Sequence, residues 1–163
     1  MRWELVSSDT RQEVYHLFKN DKKILTLVIN PFSNTARVEC ANEKRVFQLR
    51  KEGSLRNKTV IRNEYGIKLG ELGHENNENL IDVNNERFNY NIDDGPLAKL
   101  VLYKEAKEQP FVTCGITTRE GNPGINFKKD KNLASTSHPG LLMALCWYMF
   151  LPVAKENVVE FAS

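Results

Sequence analysis

A C-terminal segment, His138–Ala154, is apolar on every side, and any fold of this chain has to bury it. Between Gly140 and Leu151 the sequence shows no polar face. Pro139 suits the first turn of a helix and Pro152 discourages its continuation, so we predict one helix over about 138–154. A helix that is apolar all round is either buried by protein on every side or placed in a membrane.

The length of this segment decides between the two environments. About 14–16 helical residues, at about 1.5 Å each, span roughly 21–24 Å, whereas the core of a bilayer requires about 20 residues. The alternative is a tail anchor formed by residues 139–154, but Pro152 lies within it and the acidic Glu156 and Glu160 follow it. We therefore expect a helix in the protein core and no transmembrane segment.

The residues before the helix form short apolar-rich runs that are separated by turn residues. Phe88, Tyr90 and Ile92 alternate with polar neighbours, which indicates antiparallel strands with one buried and one solvated face. Asn, Asp, Gly and Pro fill the turns because they adopt the backbone angles that turns require. The predicted strands are Glu13–Phe18, Ile24–Ile29, Thr35–Cys40, Arg45–Arg50, Lys58–Arg62, Ile67–Leu72, Leu80–Val83, Arg87–Ile92, Leu97–Lys104, Phe111–Thr117 and Ile125–Phe127.

Strands and helix together predict one mainly β domain. We expect an antiparallel meander of about 10–12 strands, closed or nearly closed into a barrel around the hydrophobic helix. A helix laid across an open sheet is the alternative. The chain has 163 residues with 40% hydrophobic and 27% charged side chains, which fits one ordinary domain over 1–163. Strands are expected over about 2–127, a polar connector over 128–137 and the helix over about 138–154.

Two segments resemble the tubby-like superfamily, which includes tubby C-terminal domains, phospholipid scramblases and LURP-one-related proteins. The strand–turn–strand Thr59–Leu72 is similar to the repeated hairpin of that family, with a polar turn closed by Gly66. The segment His138–Ala154 is similar to its central hydrophobic helix. The resemblance implies a closed barrel around one helix and a role in lipid binding. The Pro-rich segment and the Cys-rich cluster of the scramblases have no counterpart here, so scrambling is not carried over.

No residue set typical of catalysis or metal binding is found in the sequence. The histidines and cysteines are far apart, without the spacing of a zinc site or a C-x-x-C pair, and each cysteine lies in an apolar phase typical of a core residue. We therefore expect no enzyme, no metal and no cofactor, although a site assembled only in space would escape this test. The residues concerned are His16, His74, His138, Cys40, Cys114 and Cys146.

The charge distribution suggests a partner. Net charge is +2, from 23 basic and 21 acidic residues, which does not predict nucleic-acid binding. Basic residues concentrate locally over Arg45–Lys68, where Arg50, Lys58 and Arg62 are candidates for binding an anion or a lipid headgroup. An ordinary solvated face is the alternative reading of this stretch.

The leading hypothesis is a non-enzymatic binding module that recognises an anionic membrane surface or an acidic protein partner. We expect it in the cytoplasm or peripherally on a membrane, because the N-terminus lacks an apolar signal run and the cysteines are odd in number. One alternative is a carrier or sensor for a small apolar ligand, in which bulky Trp147, Tyr148, Met149 and Phe150 leave little lumen. The other is a structural or interaction protein. The oligomeric state is left open.

Overall fold

The computed structural model describes residues 1–40, 45–53, 58–95, 97–104, 109–119 and 122–157, and for 117–126 at most the backbone. Within these ranges twelve antiparallel strands form one sheet in which each strand pairs with the next along the chain. The first and last strands also contact each other, so the sheet is a nearly closed barrel, as predicted. The strands are β1 (Arg2–Ser8), β2 (Glu13–Lys19), β3 (Lys22–Asn30), β4 (Thr35–Cys40), β5 (Arg45–Glu52), β6 (Lys58–Asn63), β7 (Lys68–Glu75), β8 (Glu78–Val83), β9 (Glu86–Asp93), β10 (Lys99–Lys104), β11 (Pro110–Arg119) and β12 (Asn122–Lys129).

Two-residue turns join several of these strands. In the β2–β3 turn, Asn20 and Asp21 have φ values of 50° and 59°, and pairs of asparagines at 76–77 and 84–85 likewise have positive φ. Positive φ at both central residues defines the turn type whose twist matches that of an antiparallel hairpin, and Asn and Asp tolerate it better than other side chains. The turn residues picked out in the sequence thus set the register of the meander.

The hydrophobic helix, α1 (Pro139–Asn157), lies inside the barrel. All residues from Gly140 to Trp147 are buried, and these eight residues point in every direction around the helix axis. The Trp147 ring stacks on Trp3 of β1 at 5.2 Å between ring centroids and meets Tyr15 of β2 edge-on at 5.8 Å. The helix also packs on β3, β4, β10 and β11. Strands on several sides of the barrel therefore contact one helix, which confirms the predicted fold class.

Two boundaries differ from the sequence prediction, and one strand was not among the individual runs. The helix continues through Pro152 to Asn157, because Ala154 is still fully buried and Lys155 still has an ion-pair partner on β2. The connector is shorter than expected, since β12 extends to Lys129 and a 3₁₀ turn spans Lys131–Ser135. The strand β1 precedes the first of the individual runs but lies within the strand region predicted over about 2–127.

Candidate functional site

Consecutive hairpins turn at alternate ends of the barrel, so its two ends differ. One end carries the β1–β2, β3–β4, β7–β8 and β9–β10 turns together with the last turns of α1. At this end a cavity of ≈ 650 Å³ opens between α1 and the strands β2, β3 and β5–β9. We call this cavity the mouth pocket. Its size lies within the range of roughly 300–1,000 Å³ that is usual for small-molecule sites.

One face of α1 forms a wall of the mouth pocket. Tyr148, Met149, Pro152 and Lys155 line it, and spacings of three and four residues place them on the same side of the helix. Tyr148 and Met149 are half-buried and Pro152 is exposed, whereas the preceding turns of the helix are buried on every side. The buried Leu151 also lines the pocket, while the opposite face stays in the core through Phe150 and Ala154.

The strands complete an apolar wall opposite the helix. Tyr90 and Ile92 of β9 point into the pocket together because alternate residues share one face of a strand. Leu72 of β7 and Ile29 of β3 add further apolar surface. The pocket therefore offers a mostly hydrophobic interior that opens to solvent at the barrel end.

An ion pair joins the helix to the sheet at the edge of the pocket. The Lys155 ammonium donates to Glu13, and the Tyr15 hydroxyl donates to the other Glu13 oxygen at 2.9 Å. Burial, and then the hydrogen bond to Glu13, raises the pKa of Tyr15, so its hydroxyl remains protonated and remains a donor. The carboxylate of Glu13 is thus held by two donors.

Four further polar side chains line the mouth pocket. His74 Nδ1 lies 3.0 Å from the Asn79 side-chain oxygen, which joins β7 to β8. Lys51 and Thr59 are register partners on β5 and β6, so both occupy the inward face, like the buried Leu49 two residues earlier. Among the described residues no carboxylate lies within ion-pair distance of Lys51.

The predicted anion-binding residues lie elsewhere, on the outer face of the barrel. Arg50, Lys58 and Arg62 share this face because their neighbours along each strand point inward. Arg62 pairs with Glu52 at 3.2 Å and donates to the Gly66 carbonyl at 3.0 Å.

Lys58 also has an acidic neighbour. Its ammonium lies 3.7 Å from Glu71, which Lys68 approaches to 2.7 Å. The hydrogen bond from Lys68 lowers the pKa of Glu71, which therefore stays ionised. The structure brings the three predicted residues onto one face, yet carboxylates neutralise two of them. Arg50 has no acidic partner among the described residues, and Arg56 of the same basic stretch lies outside them.

The histidines and cysteines take separate places. His16 lies on β2, His74 lines the mouth pocket, and His138 Nε2 lies 2.5 Å from the Asn84 side-chain nitrogen at the other end of the barrel. The cysteines Cys40, Cys114 and Cys146 are buried free thiols. Burial raises the pKa of the Cys114 and Cys146 thiols, which keeps them protonated and poor nucleophiles.

Sequence reasoning missed the mouth pocket, although one signal was present. Lys51 counted only as part of the basic stretch, but its alternation with Phe47 and Leu49 assigns it to the inward face of β5. No comparable signal in the sequence brings His74 or Tyr90 near α1.

Comparison of the chain with protein-family models, with curated proteins and with solved structures finds no match. Along the part of the chain that the structure describes, no helix has both the length and the hydrophobicity to span a membrane. The fold and the pocket define the structural class of this protein: an antiparallel barrel filled by its own C-terminal helix, with a pocket where that helix emerges.

Proposed function

We propose that this protein is a non-enzymatic binding module that holds a small, largely apolar ligand in the mouth pocket. The observation that carries the proposal is the ≈ 650 Å³ cavity between α1 and the barrel wall, with apolar side chains on both sides. A pocket of this size and composition, with a few polar groups at its edge, is the usual form of a small-molecule site.

The distribution of bulky side chains makes room for the ligand. Trp147 and Phe150 are fully buried and fill the lumen, while Tyr148 and Met149 turn to the pocket wall and leave space beside them. Each methylene that a ligand buries there contributes about 0.8 kcal/mol. About six methylenes would contribute roughly 5 kcal/mol, before the entropy lost on association is subtracted.

A binding role fits the chemistry of the site better than catalysis. Burial raises the pKa of the Cys114 and Cys146 thiols and keeps them protonated. At the pocket edge Glu13 pairs with Lys155, and His74 is hydrogen-bonded to Asn79. The resemblance to the tubby-like superfamily, which we also propose as the family of this chain, supports a lipid-related binding role.

Nile red, a neutral apolar dye whose emission depends on polarity, tests the pocket. We expect one dye molecule to bind per chain, with its emission shifted to the blue. Replacing Ile92, which is 37% exposed at the pocket, by Trp places an indole in the cavity and weakens binding about tenfold or more.

The matched control carries the same substitution at the other end of the barrel. Ile67 is 60% exposed in the β6–β7 turn, so Ile67→Trp adds an identical indole away from the pocket and leaves dye binding unchanged. Equal dye affinity in Ile92→Trp and Ile67→Trp would show that the dye binds elsewhere, and the proposal would fail.

A second candidate function rests on Arg50, the outer-face arginine without an acidic partner among the described residues. Together with Lys58 and Arg62 it would bind an anionic membrane surface. Reversing all three charges to Glu should abolish flotation with anionic vesicles at low salt. Unchanged flotation would remove this candidate and leave the pocket unaffected.

A further inference from the structure

The charged groups of the mouth pocket differ in whether they already have a partner, and this difference indicates what the ligand carries. Glu13 and Lys155 neutralise each other, and His74 and Asn79 are hydrogen-bonded together. Lys51 is the cation of the pocket lining that has no carboxylate partner among the described residues. The connection that follows β5, residues 54–57, contains no acidic residue in its sequence.

Lys51 lies at the rim of the pocket, above an apolar floor. On β5 it follows Leu49, which is fully buried on the same inward face, and it pairs with Thr59 on β6. A lysine in such a position lays its methylene stem along apolar surface and keeps the ammonium in water. The pocket thus places hydrophobic surface inside and, at its opening, one cation without a carboxylate partner among the described residues.

Resting on the proposed function, we propose that the mouth pocket selects a long-chain monocarboxylate, with the chain against α1 and the carboxylate at the Lys51 ammonium. The volume of ≈ 650 Å³ corresponds to about 22 water-sized groups at about 30 Å³ each, which is enough for the roughly 18 non-hydrogen atoms of palmitate.

The positions of the paired and unpaired charges in the lining set the direction of the ligand. Glu13 lies on β2, three strands away from Lys51 on β5, or about 14 Å along the sheet at about 4.8 Å per strand. A ligand carboxylate at the β2 side would face the Glu13–Lys155 ion pair, whose two charges already neutralise each other. At the β5 side it meets Lys51 instead.

Three probes with the same chain and different heads test the inference: palmitate, cetyl alcohol and cetylamine, each titrated calorimetrically. We expect palmitate to bind about 1.5- to 5-fold tighter than cetyl alcohol, which is the usual range for one exposed charge pair. Lys51→Met keeps the apolar stem and should reduce palmitate to the affinity of the alcohol. Lys51→Glu should favour cetylamine instead.

The control lysine is Lys22, an exposed residue at the other end of the barrel, and Lys22→Met should leave all three affinities unchanged. Adding palmitate in neutral vesicles distinguishes binding of the free ligand from binding to a lipid surface. We expect protein and palmitate together in the supernatant, and protein that stays on the vesicles would overturn the inference.

The two proposals fail in different ways. If cetyl alcohol and Nile red bind but palmitate binds no tighter than cetyl alcohol, the carboxylate inference is wrong and the pocket function stands. The same holds if Lys51→Met leaves the affinity for palmitate unchanged. If none of the probes binds at a site sensitive to Ile92→Trp, the proposed function itself is wrong. Far-UV circular dichroism and the thermal midpoint of each variant establish that it is folded.

Discussion

Replacing Gly70 by alanine tests a position where neighbouring strand backbone leaves no room for a Cβ atom. Gly70 lies on β7 and pairs with Val83 on β8. A Cβ atom added at Gly70 would lie 1.9 Å from the Asp82 carbonyl oxygen and 2.8 Å from Val83 Cα. These are backbone atoms, so no side chain can rotate away to relieve the contact.

The cost follows from the displacement that the new atom requires. Moving the contact from 1.9 Å to at least 3.0 Å means separating β7 from β8 by about 1.1 Å at this point. Overpacking of this kind costs about 1–3 kcal/mol, and each weakened ladder hydrogen bond adds about 1 kcal/mol. We expect Gly70→Ala to lower the free energy of unfolding by about 3 kcal/mol, which corresponds to about 6–12 °C in Tm for a chain of this size.

Gly73 on the same strand provides the control. A Cβ atom at Gly73 meets nothing within 4 Å, so Gly73→Ala should be neutral, or stabilising by about 0.5–1 kcal/mol through lower chain entropy in the unfolded state. Urea unfolding followed by circular dichroism gives the midpoint and slope for both variants. A loss below about 1 kcal/mol in Gly70→Ala, or equal values for the two variants, would refute the reasoning.

Three further predictions concern other parts of the barrel. Trp3→Ala and Trp147→Ala should show a coupling of about 0.5–1.5 kcal/mol in a double-mutant urea cycle, because their rings stack at 5.2 Å; additivity would contradict this. Burial opposes ionisation of Glu86, but the hydrogen bonds from Ser137 together with the Lys104 ammonium outweigh it and lower the pKa of Glu86 from its usual 4.5. The ionised Glu86 carboxylate therefore contributes its full stabilisation above pH 4.5 and loses it as the pH falls through the pKa of the folded state. Glu86→Gln should reduce the dependence of the urea midpoint on pH between about pH 6 and pH 3, and an unchanged pH profile would contradict this prediction. Pro152→Ala should raise the free energy of unfolding by about 1–3 kcal/mol by restoring a helical N–H at an exposed position, and a lower thermal midpoint would contradict it.

The fold could be predicted because two strong patterns agree with each other. A helix apolar from Gly140 to Leu151 needs walls on all sides, and alternating residues such as Phe88 and Tyr90 supply a sheet with one apolar face. Boundaries were harder to place. Pro152 is a strong stop signal, yet packing of Ala154 and the ion pair of Lys155 keep the following turn helical.

The candidate site could not be predicted because its lining comes from distant parts of the chain. Tyr90, His74 and Met149 meet only when the meander closes and the helix returns through it. The positive charge of the Arg45–Lys68 stretch was visible in the sequence, but which of its side chains face inward and which outward was not. Strand alternation sends Lys51 inward and Arg50 outward, and cross-strand carboxylates then neutralise Lys58 and Arg62.

The face of α1 at the mouth pocket shows where sequence and structure differ in a useful way. The apolar pattern continues through Tyr148, Met149 and Leu151, which predicts complete burial, but the structure leaves Tyr148 and Met149 half-buried. Stability alone favours polar side chains on a helix face that meets solvent. Local departures from such rules are expected mainly at functional sites. Under the proposed function, a hydrophobic ligand in the mouth pocket would complete the burial that the apolar sequence of this helix predicts.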